Sequence, residues 1–286
     1  MEKDILSRIG AEGLKLSKGQ KRIAKYIREH YDKAAFMTAG KLGSTVGVSE
    51  STVVRFAGDL GYEGYPEMRK AIQEMIRSRL TSVQRIRVAR ETMEGKNLLD
   101  SVMLADADKL NDTLHACDRA SFRRAVEAID GARHVYIVGM RSSACLASFL
   151  GFYLNLLREN VHVVEPSGSE IYEQILRIRE GDVFIGISFP RYSSAAVKPM
   201  RYAKSCGATV IGLTDGEASP FVGLADILLY AKSDMMSFVD SLVAPMSLIN
   251  ALIVAVGSHK DETLADTFQR LESVWEEYDV YEHAGS

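Results

Sequence analysis

Two residue patterns in this chain have the chemistry to hold phosphate groups. The first is Ser49, Ser51, Thr52 and Arg55, within AGKLGSTVGVSESTVVRF at residues 39–56. On a helix, Ser51, Thr52 and Arg55 lie three or four residues apart and share a face that offers hydroxyls and a guanidinium. Such a face can bond phosphates and present an arginine fork to a base edge in a DNA groove. The second pattern is a pair of loops, Gly139-Met-Arg-Ser142-Ser143 and Ser188-Phe-Pro-Arg191-Tyr-Ser193-Ser194. Each follows a short apolar run and precedes a helical pattern. Hydroxyls and backbone N–H groups therefore meet at a helix N-terminus, where the dipole favours an anion. Arg191 adds a fixed positive charge able to hold a phosphate or carboxylate through two parallel bonds. Either serine pair alone reads as a helix cap; two such loops at one edge of one sheet argue for a pocket.

The first pattern needs two short crossed helices. Leu42, Val46, Val48, Val53 and Phe56 fall where such a pair would need apolar contacts, and Gly47 supplies the permissive backbone between them. Ser49 is the expected N-cap of the second helix. From Leu16 to Leu80 the apolar residues recur at helical spacing, which predicts about five helices. Ser17 is the expected cap of KGQKRIAKYIREH, and Pro66 falls in the first turn of the helix after the Gly61-to-Tyr65 turn. This all-helical domain is expected over residues 1–80, with the polar, arginine-rich stretch 81–96 as a linker.

The second pattern needs a parallel sheet. After two further helices, about Asn97–His115 and Arg119–Ile129, five short β-branched runs alternate with helical patterns: His134–Gly139, Val161–Glu165, Asp182–Ser188, Thr209–Thr214 and Ile227–Tyr230. Strands buried on both faces read this way. The expected fold class is α/β with an all-α N-terminal domain: a helix-turn-helix bundle, then a five-stranded parallel sandwich of the flavodoxin-like kind over residues 97–286. Ligands of such sheets bind beyond the carboxyl ends of the strands, which is where both serine loops fall.

Composition narrows the function. The chain has 286 residues, 47% hydrophobic and 26% charged, enough for two domains with cores. Its net charge of −3 hides an asymmetry. Residues 1–96 hold 19 Lys and Arg against 12 Asp and Glu, and the remainder holds 16 against 26. A positive field therefore coincides with the helix-turn-helix pattern. Cys117, Cys145 and Cys206 match neither a disulfide framework nor a zinc site and read as reduced, buried thiols. MEKDILSRIG lacks the apolar core of a signal peptide, and the apolar run Leu242 to Gly257 is broken by Pro245, Ser247 and Asn250, so it reads as a buried helix. A cytoplasmic protein without membrane contact, metal or cofactor is expected.

With these motifs in order, the chain resembles the RpiR family of transcriptional regulators, in which a helix-turn-helix domain precedes a sugar isomerase (SIS) domain that senses phosphorylated sugars. The resemblance rests on LSKGQKRIAKYI, VSESTVVRFAGDLGYEGYPEMRK, IVGMRSS, ISFPRYSSAAVKPMRYAKSCGATVIGLTD and SPFVGLAD. It implies that Ser49, Ser51, Thr52 and Arg55 face a double-stranded DNA operator and that Ser143, Ser188 and Ser193 line a sugar-phosphate site. One stretch departs from the family. Many SIS domains carry Ser-x-Ser-Gly-x-Thr after the third strand, where this chain has Ser188-Phe-Pro190-Arg191-Tyr-Ser193. Pro190 donates no hydrogen bond. Arg191 is the residue that can replace the lost contacts, and the ligand is either a phosphorylated sugar or another acidic metabolite.

Other classes fare less well. An aldose-ketose phosphate isomerase would need an acid or base beside a carbonyl, and the candidates His162, Glu165, Glu170 and His259 form no pair by spacing. A nicotinamide enzyme would need G-x-G-x-x-G where the chain has Gly139-Met-Arg-Ser-Ser. A non-catalytic adaptor would not need Arg55 or the basic head. No catalytic residue is assigned. Because a monomer with few base contacts binds weakly, a homodimer or higher oligomer is expected, joined through Leu242–Val256 and SSACLASFLGFYLNLL.

Overall fold

The computed structural model describes residues 5–10, 16–79, 81, 83–86, 95, 97–165, 170–233, 239–258 and 261–281. Two compact units are present, Met1–Val102 with Asp234–Asp240, and Met103–Ser233 with Ser241–Ser286. Of the expected linker, residues 82, 87–94 and 96 lie outside the described residues, as does His259.

The first unit holds α1 (Ile5–Ile9), α2 (Lys18–Glu29), α3 (Tyr31–Ala34), α4 (Ala39–Val46), α5 (Glu50–Asp59) and α6 (Tyr65–Arg79). Ser17 closes a reciprocal capping box with Gln20 at the start of α2. Ile23, Ile27, Leu42, Val53, Phe56, Met68 and Ile72 are all fully buried and make one core. Val46 and Val48 pack against it from the turn. Gly47 takes a left-handed φ of 70° between α4 and α5, and the Arg22 guanidinium donates to its carbonyl at 2.8 Å. The turn is held from α2 as well as by its own glycine.

The second unit holds most of α7 (Leu98–Ala116), then α8 (Arg119–Gly131), β1 (Val135–Gly139), a 3-10 turn (Arg141–Ser143), α9 (Ala144–Leu157), β2 (Val161–Val164), α10 (Ile171–Gln174), β3 (Val183–Ile187), α11 (Ser194–Ser205), β4 (Thr209–Thr214), β5 (Ile227–Tyr230), α12 (Val243–Ser258) and α13 (Asp261–Glu277). The strands form one parallel sheet in the order β2-β1-β3-β4-β5. Val135, Ile137, Ile185 and Ile187 point to the face covered by α8, α9 and α12, while Tyr136, Val138 and Phe184 point to the face covered by α10 and α11. The period-2 alternation thus feeds two cores, which is why these strands are apolar throughout.

Three expectations change. The 242–257 run is buried on one side only, since Val254 in α12 is 70% exposed and Asn250 is also exposed. Its mean apolarity hides which face meets solvent. Cys145 is exposed and donates to the Ser142 carbonyl, and Cys117 and Cys206 are half-buried, so none of the three is a fully buried thiol. The serines opening α11 do not cap it with their side chains. Among the described residues no helix is long and apolar enough to cross a membrane, and no cluster of three or more His, Cys, Asp or Glu is placed to hold a metal.

Two local features carry measurable consequences. A Cβ on Gly139 would stand 2.3 Å from the Ser143 carbonyl oxygen and 2.9 Å from Ala147 Cβ. Replacing Gly139 with Ala should therefore push the 141–143 turn off the sheet and destabilise the second unit by about 1–3 kcal/mol, the usual cost of overpacking. A chemical-denaturation midpoint unchanged by the substitution would contradict this close approach. At the opposite, amino end of the sheet, His162 stacks on Tyr136 and His134, with His134 Nδ1 3.1 Å from His162 Nε2. Burial first, and then His134, lower the His162 pKa below its ordinary 6.5, against a smaller opposing pull from Asp182. The folded state then binds fewer protons than the unfolded chain, so this contribution is whole above the unfolded pKa and is lost as pH falls through 6.5 towards the folded value. His162→Gln should flatten the decline of melting temperature between about pH 7 and pH 5 relative to the parent, and parallel declines would remove His162 as its source.

Candidate functional site

The helical unit presents its candidate residues from α5. Ser49 is the N-cap, with extended backbone and its hydroxyl accepting from the Thr52 N–H at 3.3 Å. The same Oγ lies 2.9 Å from Ser51 Oγ and 2.8 Å from Thr52 Oγ1. The three hydroxyls are thus a bonded group whose orientation is set by the cap. Ser49, Ser51 and Arg55 are exposed, while Thr52 is half-buried, with Gly19 of α2 behind its methyl group. Val53, Phe56 and Ala57 on the opposite face are buried, which fixes the rotation of α5 about its axis and turns Arg55 outward. The face is polar and rigidly backed.

The sheet unit brings the two serine loops to neighbouring strands. β1 and β3 pair in register from Val135↔Val183 to Gly139↔Ile187, so the loops start side by side, about 4.8 Å apart across the ladder. The chain leaves β1 for α9 on one face and β3 for α11 on the other. A crevice opens where successive connections depart to opposite sides, and this is where parallel sheets bind ligands.

Within the first loop, Ser142 is exposed at the 3-10 turn and Ser143 is buried at the start of α9. The Ser143 hydroxyl makes no capping bond, and among the described residues it has no hydrogen-bond partner. Its N–H closes the turn onto the Met140 carbonyl at 3.1 Å. In the second loop Ser188 is buried and its Oγ accepts from the Ser193 N–H at 3.3 Å. Ser193 occupies the N-cap position of α11 without a side-chain cap, and exposed Ser194 is the first helical residue. The expected capping is replaced here by a Ser188-to-Ser193 clasp. The loop is also held from β4: Tyr192 Oη donates to Asp215 Oδ1 at 2.7 Å, and Thr214 Oγ1 contacts the same oxygen at 3.3 Å. An open cavity of about 450 Å³ begins beside the first loop, lined by Gly139, Ala144, Ser148, Asn155, Val164 and Glu165. It adjoins the loop on the α9 side and does not itself include Ser143, Ser188 or Arg191.

Sequence reasoning missed the backbone of these loops. Arg141 and Arg191 both have left-handed φ, 58° and 66°. For a residue with a Cβ this costs about 1–2 kcal/mol. Arg191 stands where the family pattern Ser-x-Ser-Gly-x-Thr has its glycine, which is the residue such a φ favours. The departure noted in the sequence therefore puts an arginine side chain on a backbone conformation that a glycine would adopt without strain.

The candidates for proton transfer are not brought together here. His162 lies on the edge strand opposite Tyr136, nearer the amino end of the sheet. Glu170 is exposed beside α10, and Glu165 follows β2, its N–H donating to Gln174 Oε1. Neither loop contains a histidine.

Comparison with known proteins agrees with both halves. Residues 3–79 match the helix-turn-helix domain of the rpiR family, and residues 128–255 match the SIS domain. The chain is 26% identical over 231 residues to an HTH-type transcriptional regulator of Haemophilus influenzae, covering 79% of each. Its sheet unit is similar to the crystal structure of the sugar isomerase domain of an RpiR transcription factor from Sphaerobacter thermophilus. The two share 31% identity with a TM-score of 0.59 over 62% of this chain and 98% of that one. The NanR protein of Vibrio vulnificus, solved in complex with ManNAc-6P, has a similar fold, with 22% identity and a TM-score of 0.59 over 96% of this chain and 98% of that one. A helix-turn-helix head and a SIS body in one chain, with that relative at 31% identity, place it in the RpiR family of transcriptional regulators.

Proposed function

We propose that this regulator binds a double-stranded operator through Ser49, Ser51, Thr52 and Arg55, and that a phosphorylated sugar or related acidic metabolite adjusts that binding from the crevice between β1 and β3. Ser142, Ser143, Ser188, Arg191, Ser193 and Ser194 are its ligand-binding residues. The observation that carries the reading is the pairing of two hydroxyl-rich helix entries on neighbouring strands of a chain that also presents an exposed arginine on a capped helix. The N-termini of α9 and α11 present positive dipole ends to an anion. The bound ManNAc-6P of the similarly folded NanR supports the choice of a phosphosugar as ligand class.

The domain limits that go with this reading are 1–80 for DNA, 81–96 as linker and 97–286 for sensing. Action is cytoplasmic and without turnover of the ligand, a reading supported by the chain's similarity to HTH-type transcriptional regulators. A homodimer or higher oligomer forms through α9 and α12, where Phe152 and Val254 are 60% and 70% exposed. The effector acts by binding one arrangement of the assembly better than another.

The test is a gel-retardation titration of the intact protein on its own promoter fragments, with and without hexose phosphates. A phosphosugar that changes the affinity supports the reading, and efficient turnover of that sugar without selective DNA binding contradicts it. Arg55→Ala should weaken specific binding by about 1–3 kcal/mol if Arg55 reads a guanine edge. Unchanged affinity and specificity would take Arg55 off the recognition face. Ser143→Ala should abolish the effector-dependent shift in operator affinity measured by anisotropy, and a normal response in that variant would move the pocket elsewhere.

A further inference from the structure

The face of α5 proposed to meet DNA carries three bonded hydroxyls and one cation, Arg55. Such a face can read a groove. A duplex, however, presents one negative charge per about 1.7 Å of its axis, and much of a protein's affinity for it comes from cations laid against the phosphates. Where those phosphates fall relative to α5 is a matter of dimensions. The major groove is about 12 Å wide, so a helix centred in it has a phosphate strand about 6 Å to either side of its axis. A second helix packed on the first has its axis about 8–10 Å away, which puts it over one of those strands.

In this unit that second helix is α2. A Cβ on Gly19 would stand 3.2 Å from Val48 Cγ1 and 3.6 Å from Thr52 Cγ2, so the first turn of α2 is seated against the turn that opens α5. Lys18 and Arg22 flank that contact, four residues apart on one exposed face, with Ile23, Ala24 and Ile27 buried behind them. Arg22 Nη2 donates to the Gly47 carbonyl at 2.8 Å, and Nη1 lies 3.3 Å from where a Cβ on Gly47 would be. The guanidinium is thus laid across the turn, and that bond uses one of its five donors. Lys18 makes no hydrogen bond or ion pair among the described residues. In the first turn of a helix a lysine opposes the dipole, so Lys18 does nothing for the stability of α2. Neighbouring charges are engaged or turned away. Lys25 lies 4.0 Å from Glu29, Arg8 donates to the Leu60 carbonyl, and the Glu50 carboxylate is turned over Gly40 of α4.

We propose that Lys18 and Arg22 form a phosphate clamp beside α5, gripping the DNA backbone without reading sequence. This rests on the operator reading above. The experiment is fluorescence anisotropy of the full chain over a series of salt concentrations, on its own promoter fragment and on a scrambled duplex of equal length. Each phosphate contact contributes about 0.9 to the slope of log K against log salt. Lys18→Gln should therefore lower the slope by about 0.9 for each protomer on the DNA and weaken binding to both duplexes alike. Arg22→Gln should lower it by a similar amount. Because Arg22 also holds the turn, its melting temperature is measured alongside; Lys18→Gln loses no contact within the unit and should melt with the parent. Arg28→Gln removes the same charge ten residues further along α2, about 15 Å away, and should leave the slope as it is. An unchanged slope in Lys18→Gln, or an equal drop in Arg28→Gln, overturns the clamp. The operator reading survives that result if the parent prefers its promoter and Arg55→Ala weakens the preference. A parent that binds both duplexes equally defeats the operator reading and the clamp with it.

Discussion

The parting of two chain connections at the carboxyl ends of β1 and β3 is the constraint on which the rest depends. Because α9 crosses one face of the sheet and α11 the other, the loops between them cannot pack on each other and must leave a crevice. The residues around it are those that tolerate or exploit that opening. Gly139 lets the first turn fold back within contact of its strand. Ser188 and Tyr192 pin the second loop from two sides. Ser143, at the turn into α9, is largely buried and its hydroxyl makes no capping bond.

The surface proposed to face DNA follows a different logic. One hydroxyl, that of Ser49, caps α5 and also orders Ser51 and Thr52. Capping and presentation are thus coupled, and the buried ridge of Val53, Phe56 and Ala57 decides which way Arg55 points. The Arg22 bond to the Gly47 carbonyl ties the turn to α2, so the angle between α4 and α5 depends on a side chain outside both.

Much of this was legible from residue order. Thr209–Thr214 and Ile227–Tyr230 are strands at the expected bounds, because β-branched runs between two helical layers have one way to be buried. Five helices lie between residues 16 and 80, two of them opened by the expected serine caps, Ser17 and Ser49. What stayed hidden was set by distant partners or by exceptions to local preference. The four-residue α10 is too short to show a period, and α12, mostly apolar in sequence, is buried on one side only. Left-handed arginines contradict residue preference, and only the glycine expected at position 191 hinted at one of them. The Tyr192–Asp215 bond and the His134–His162 stack join residues 23 and 28 positions apart, with no pattern to announce them.

The claim that this crevice is the effector site is tested most directly by hydrogen–deuterium exchange of the intact protein with and without a phosphorylated sugar shown to bind it. Slowed exchange should concentrate at the backbone amides of residues 139–144 and 188–194, whose N–H groups open α9 and α11. Protection that left both loops unchanged and appeared elsewhere in the sheet unit would contradict it.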